Sequence, residues 1–389
     1  MRGTIKSNYF LNFFKPDIQS CDMRFINFIF IFICLLCSCR EEKIAFVGTL
    51  SGTGSKTGLY AKNGLKIAVD EINTSGGIGG SRIILDIFDD KNNPSIAEGI
   101  DYGIAIKNYK IIIGHNTSEM SKAGLKAISN KQILMISPYS ASDSLSGLND
   151  NFIRIIPASR SQAEFTARFA KKSGYKKIYV LYDKTNAAYS STFIKYFSDE
   201  TGESSIIHKT FFESADEKTL TEILYRSSIL NPDSFLILTS GQTLAVICQS
   251  LRKNGFRQQI FTSGAAANAE LMENAGKYSE GIIFSHFINF NIDTQQSNVF
   301  KEKYLSKFGE EPSLVSLLAY DSIMILKQSI EENELSIEDA SIDEIKESII
   351  RKKNFSLVTG SFSINLNGDA ERTTYLYRIS KGNYVLIEN

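Results

Sequence analysis

The chain has 389 residues, with 43 Lys plus Arg, 43 Asp plus Glu, three histidines and five cysteines. Balanced charge without a basic or acidic block argues against a nucleic-acid partner and against a disordered tail. The length exceeds what one hydrophobic core usually fills, which favours two domains.

Met23–Cys39 reads as an export signal ending at a lipid-attachment cysteine. Arg24 gives a positive start, Phe25–Leu36 is apolar apart from Asn27, and Ser38 places a small residue before Cys39. The apolar run is shorter than the roughly 20 residues a spanning helix needs. Met23 is therefore read as the initiator. Residues 1–22 are read as a mis-assigned extension, residues 23–38 as a lipoprotein signal peptide, and Cys39 as the acylated first residue of the mature protein. That places the protein outside the cytoplasm, anchored on the outer side of the cytoplasmic membrane or in the periplasm. Residues 1–38 carry Arg2, Lys6, Lys15 and Arg24 against Asp17 and Asp22, so the remainder is net −2. With Cys39 acylated, Cys248 has no disulfide partner and reads as a buried apolar residue. His115, His208 and His286 lack ligand spacing, so no metal site or cofactor is expected.

From Lys43 onward short apolar runs alternate with helical patterns, the signature of parallel βαβ units. Lys43–Gly48 reads as a strand, Ser51–Gly58 as a Gly-rich loop and Tyr60–Asn73 as a helix with Leu65, Ala68, Val69 and Ile72 on one face. Ser75–Gly80 ends that helix. A strand is expected at Arg82–Asp89, a helix opening at Asn93-Pro94-Ser95, and strands at Lys110–Gly114 and Ile133–Ser137 flanking a helix at Glu119–Asn130. The pattern restarts beyond Arg160. Helices are expected at Gln162–Ser173, Tyr189–Thr201, Leu220–Ser228 and Thr243–Asn254. Strands are expected at Lys177–Tyr182, Ser205–Phe212, Ser234–Leu238, Gln259–Thr262 and Gly281–His286. This gives two doubly wound α/β lobes of similar plan. Helical patterns return at Ser297–Phe308, Ser313–Glu331 and Ile342–Lys352, without strands of their own, so they are expected to pack back onto the first lobe. The end alternates as strands at Val358–Ile364, Thr373–Ser380 and Tyr384–Ile387, with Asn367-Gly368 as a turn signal.

An ordered set of motifs runs through residues 43–389. IAFVGTLSGTGSKTG at 44–58 and NGLKIAVDEINTSGGIGG at 63–80 come first. DDKNNPSIA at 89–97, IIIGHNTSEMSKA at 111–123 and ILMISPYSASDSL at 133–145 follow. FIRIIPASRSQA at 152–163, LYDKTNAAY at 181–189 and Cys248–Gly255 complete it. In this order the chain resembles the branched-chain amino acid (Leu/Ile/Val)-binding family of ABC transporter substrate-binding proteins, which have the type I periplasmic binding protein fold. The resemblance implies two Rossmann-like lobes with parallel-sheet cores, three hinge crossings and a ligand cleft between the lobes. The lobes would be residues 43–158 with 289–362, and 159–288 with 363–389, bending near 157–160, 286–290 and 360–365. It also implies a monomer that binds a small-molecule solute, works with an ABC permease in the cytoplasmic membrane and catalyses nothing.

The residues themselves point the same way, because open parallel sheets bind ligands beyond the carboxyl ends of their strands. His115–Ser118 runs into a helix start, which suits a carboxylate. By resemblance the carboxylate loops fall on Thr117 and Ser118 and on Tyr139 to Ser142. Ser118 would supply a hydroxyl, Ser140 a backbone group, and Ala141 stands where the family usually has Thr, with Ser142 as a replacement. Tyr189 would line the second lobe, Thr57 the first, and Ser240 the loop Thr239–Gln242. Helix capping or turn formation is the alternative use of each hydroxyl. The loop Ser263–Asn268 lacks the acidic residue that amino-acid-binding members use for the ligand ammonium; Asp183 is the available substitute. Three rivals stand beside this reading. GTGSKT at 52–57 lacks the Gly before Lys that a phosphate loop requires. The same fold could serve as an extracytoplasmic sensor signalling to a membrane receptor. It could also be a degenerate member that binds nothing, as the bare Ala265-Ala266-Ala267 loop suggests.

Overall fold

The computed structural model describes residues 40–388 except Thr53 and Ile292. The export segment, with Met23 and Cys39, lies outside the described residues.

The first sheet is built from β1 (Glu41–Gly48), β2 (Arg82–Asp89), β3 (Ile111–Gly114), β4 (Leu134–Ser137) and β5 (Phe152–Arg154). They pair in the order β2-β1-β3-β4-β5, all parallel. Strands β3 and β4 are buried at every residue. Continuous apolar runs such as Ile111–Ile113 follow from a parallel sheet covered on both faces. The covering helices are α1 (Ser55–Thr74), α2 (Pro94–Ile106) and α3 (Ser118–Ile128). Helix α1 begins at Ser55, inside the stretch expected to be loop, after Gly54 turns the chain with φ 85°. Helix α2 opens as the sequence indicates: Asn93 accepts from Ser95 N and Ile96 N, and Pro94 occupies the first turn.

The second sheet contains β6 (Ile178–Asp183), β7 (Ile206–Phe212), β8 (Ser234–Leu238), β9 (Gln259–Ser263) and β10 (Ile283–His286). Its helices are α4 (Ser159–Lys172), α5 (Ala187–Thr201), α6 (Glu217–Leu230), α7 (Gly241–Lys253) and α8 (Ala269–Ala275). Sequence reading missed β5 and α8, which are too short to show a period. Cys248 is buried on α7 and unpaired, and burial raises its thiol pKa to about 12.

Three more helices follow: α9 (Gln295–Phe308), α10 (Leu314–Glu332) and α11 (Ile342–Lys352). As expected, they return to the first lobe. Helix α10 packs closely along α1, and Gly64 is required there, because a Cβ on it would lie 2.0 Å from the Ser316 carbonyl oxygen. A three-stranded antiparallel sheet of β11 (Asn354–Leu357), β12 (Gly360–Ile364) and β13 (Ala370–Glu371) comes next. Only then do β14 (Tyr375–Ser380) and β15 (Asn383–Glu388) join the second sheet, antiparallel, to give the order β15-β14-β10-β9-β8-β6-β7. The expected third crossing at 360–365 therefore moves to residues 372–374. Strand β12 cannot lead away from the first lobe while hydrogen-bonded between β11 and β13.

Arg372 gathers the three crossings. Its Nε donates to the Ile155 carbonyl at 3.0 Å, just after β5, and its guanidinium lies 5.5 Å from the ring of Phe287, just after β10. Arg372 itself begins the third passage and is held to the small sheet by the Phe362 ring, 4.0 Å away, and by donating to Thr359 O and Oγ1. Asp321 on α10 accepts from Val358 N and from Thr359 N and Oγ1. Burial lowers the Arg372 pKa to about 10 and raises that of Asp321 to about 6; each charge partly offsets the other's burial. Beside this knot, buried Arg154 on β5 pairs with Asp369 at 2.8 Å and donates to Ser142 O at 2.8 Å. Arg372→Met strands the buried Asp321 and removes the contact common to all three passages. It is expected to lower the unfolding free energy by about 3 kcal/mol or more. Urea denaturation checks this, and an unchanged midpoint would exclude a structural role for the guanidinium.

Candidate functional site

A cavity of about 710 Å³ lies between the two sheets and draws its walls from both lobes. The loops after β1, β3 and β4 approach from one side, and those after β6, β8 and β9 from the other. This is the position that strand polarity dictates, since parallel strands send all their carboxyl ends to one edge.

Ser118 is the best-placed polar group. It opens α3 behind Thr117, whose side chain caps the helix by accepting from Met120 N. Ser118 is 1% exposed, and its Oγ accepts from Ala141 N at 3.1 Å and Ser142 N at 2.9 Å. A hydroxyl that already accepts twice has its proton left to donate. Of the helix-start N–H groups beside it, Met120 N is taken by Thr117 Oγ1 and Glu119 N by Asn186 Oδ1 at 3.3 Å. Through the Ser118 proton the site can hold an anionic oxygen without supplying a full positive charge.

Thr57, Thr117, Ser118, Ala141, Tyr189 and Ser240 line this cavity together. Ser240 also caps α7 and is exposed. Tyr189 sits on α5, and burial raises its phenol pKa. Ser140 and Ser142 lie outside the lining. The Ser140 hydroxyl is 2.6 Å from Ser121 Oγ, which fastens the β4 loop to α3, and its N–H donates to Ser137 Oγ at 3.1 Å at the end of β4, so both groups are engaged. The Ser142 hydroxyl donates to the Ala188 carbonyl at 2.5 Å and so ties the lobes together. Glu119 strengthens that edge by accepting from Ala188 N at 3.0 Å.

Among the lining residues that sequence reading passed over are Asn92, Asn116, Gln162, Phe287, Glu270 and Glu273. The two glutamates sit on or beside the unforeseen α8, after a loop that itself lacks a carboxylate, as noted from sequence. Glu270 stands 3.9 Å from Lys56 of α1, a weak ion pair across the mouth. Asp183 also lines the cavity. Burial pushes its carboxyl upward, while hydrogen bonds from Thr185 N and Oγ1 at 2.8 and 2.7 Å oppose the shift.

Beneath the Ser118 loop is a buried ionic trio. His115 Nδ1 is 2.8 Å from Asp90 Oδ2, and its Nε2 is 3.1 Å from Asp101 Oδ2, all without solvent exposure. Burial alone would lower the imidazole pKa, but Asp101 and Asp90 override it and raise it to about 9. Thr49 Oγ1 donates to Asp90 Oδ1 at 2.7 Å, which connects the ends of β1, β2 and β3. The trio thus braces the strand ends from which the lining loops leave.

The comparisons with known proteins agree with this geometry. The periplasmic binding protein family model matches residues 41–383, and the chain belongs to that family, within its branched-chain amino acid-binding, type I group. The leucine-, isoleucine-, valine-, threonine-, and alanine-binding protein of Pseudomonas aeruginosa is 22% identical over 336 residues, covering 84% of this chain and 86% of that one. The leucine binding protein LivK of Thermotoga maritima superposes with a TM-score of 0.77 at 25% identity, covering 89% of this chain and 97% of that one. An ABC transporter solute binding protein of R. palustris in complex with benzoate gives a TM-score of 0.78 at 18% identity, covering 89% and 95%. At the level of the family these are solute binders, not enzymes.

The His115 trio predicts a pH dependence. Exposed, the imidazole would lose its proton near pH 6.5; folded, it keeps it to about pH 9. Its contribution is therefore full below pH 6.5 and fades as pH rises to 9. Urea midpoints are expected to fall across that window in the wild type. In His115→Gln they should be lower and should lack this component of the slope; an equal slope in both would exclude His115 as its source.

Proposed function

We propose that this chain is an exported solute-binding protein of an ABC transporter, lipid-anchored through Cys39, which captures a small carboxylate-bearing solute and delivers it to a membrane permease. The observation that carries the reading is Ser118. Its buried hydroxyl has one proton to donate at the start of α3, inside a cavity walled by both lobes. The solutes named for the P. aeruginosa relative are amino acids, and the R. palustris protein holds benzoate. Both kinds have a carboxylate, and benzoate has no ammonium. Asp183 is the buried acid on the opposite wall that would face an ammonium if the solute has one.

The lobes would close by bending at the passages near residues 155–158, 287–291 and 372–374. Closure brings the second-lobe wall, with Tyr189 and Asp183, onto a solute already held at Ser118. The permease then distinguishes the closed form from the open one. No bond is made or broken. The lipid anchor raises the concentration of binder near its permease, and stable anchoring takes more than one acyl chain. A cavity walled by both lobes with a poised donor favours a working binder over a degenerate member.

A thermal-shift screen against amino acids, amides, short-chain acids and small aromatic acids tests this reading. A solute that binds only the folded state must raise the melting temperature. At least one carboxylate-bearing class is expected to do so, and silence across the whole panel would reject the proposal. For that solute, Ser118→Ala is expected to weaken binding roughly tenfold or more by calorimetry. Unchanged affinity would remove the carboxylate assignment from Ser118.

A further inference from the structure

Among the residues that line the cavity are two whose side chains carry buried polar atoms left unsatisfied by the protein itself. Asn116 follows β3 on the same loop as Ser118, is 3% exposed and lines the cavity, yet neither its Oδ1 nor its Nδ2 has a hydrogen-bond partner. Native interiors rarely leave both ends of an amide unpaired, because each such group keeps its full desolvation cost. Its neighbours are all engaged: Thr49 donates to Asp90, and His115 is held between Asp90 and Asp101. Asn92, on the loop after β2, lines the same cavity with a buried, unpartnered Oδ1.

Gly48 shows that space is reserved for the Asn116 amide. A Cβ at position 48 would lie 2.1 Å from Asn116 Oδ1 and 3.3 Å from its Cγ. Any side chain at the end of β1 would therefore displace the amide. An unpaired donor and an unpaired acceptor in one plane define the complementary group. A carboxamide satisfies both at once. A carboxylate would set its charge against Oδ1, and an aliphatic chain would leave both atoms buried and unpaired.

We infer that Asn116 is a specificity-determining residue. The cavity takes an amino-acid-like carboxylate carrying a carboxamide, whose N–H reaches Asn116 Oδ1 and whose oxygen accepts from Nδ2, in preference to a branched aliphatic solute. The inference rests on the solute-binding reading above and narrows it. Sites built to hydrogen-bond a solute reject its apolar analogue far more strongly than apolar pockets reject a polar one.

Isothermal titration of the purified protein with L-glutamine, L-asparagine, L-leucine and L-isoleucine tests it. Wild type is expected to bind at least one of the two amides about a hundredfold more tightly than either aliphatic. Asn116→Leu and Asn116→Ala should each narrow that ratio tenfold or more, chiefly by losing amide affinity, with melting temperatures close to wild type. A wild type that prefers leucine or isoleucine, or a ratio unchanged in both folded variants, overturns the inference and leaves the solute-binding reading standing. Binding confined to another class in the thermal-shift panel, such as benzoate, does the same. If no solute in either experiment binds wild type, the functional reading falls and the inference falls with it.

Discussion

Arg372 stands where the three passages between the lobes converge, and the cavity exists only because those passages hold two sheets edge to edge. Arg372 itself opens the third passage; its guanidinium reaches the other two through a hydrogen bond to Ile155 and the ring face of Phe287, and the β11–β12 turn through hydrogen bonds to Thr359. Charge is well suited to this task, since one planar group offers five donors in a fixed fork. It is also costly, because both Arg372 and Asp321 are driven toward their neutral forms by burial. Replacing either one leaves the other buried without its compensating charge, which makes such a knot far more sensitive to single changes than an apolar contact of equal size.

Within the cleft, residues of one type do different work. Ser118, Ser140 and Ser142 are all buried hydroxyls beside the same two strand ends. Ser118 accepts two backbone N–H groups and keeps a proton for the cavity. Ser140 joins β4 to α3 through Ser121, and Ser142 reaches across to Ala188 on the other lobe. The His115 trio carries the arrangement downward, fastening the ends of three strands beneath the loop that bears Ser118.

The charge balance of the cleft bears on what it can hold. One wall offers the Ser118 hydroxyl; the other offers Asp183 and, toward the mouth, Glu270 and Glu273. Glu270 is paired with Lys56, so part of the acidity belongs to contact between the lobes rather than to a solute. Asn116 and Asn92 add neutral polarity to the first-lobe wall, which distinguishes this cleft from one lined for an aliphatic chain alone.

Alternation of apolar runs with helical periods, read along the chain, was enough to place most strands and helices of both lobes, because burial on both sheet faces demands continuous apolar strands. Through the family resemblance, the motifs from Ile44 to Tyr189 brought Thr57, Thr117, Ser118, Ala141 and Tyr189 to attention, and these line the cavity together because parallel strands send their carboxyl-end loops to one edge. Only tertiary structure separated Ser118 from Ser140 and Ser142, since a hydroxyl's role depends on which atom lies opposite it. It also moved the third crossing to residues 372–374, because Gly360–Ile364 pairs with Asn354–Leu357 and Ala370–Glu371 in a small separate sheet, and a strand's own alternation does not say which sheet it joins. The same holds for Arg372, His115 and Asn116. Each has an ordinary local sequence, and its burial and partners, or in Asn116 its lack of them, come from segments far away in the chain.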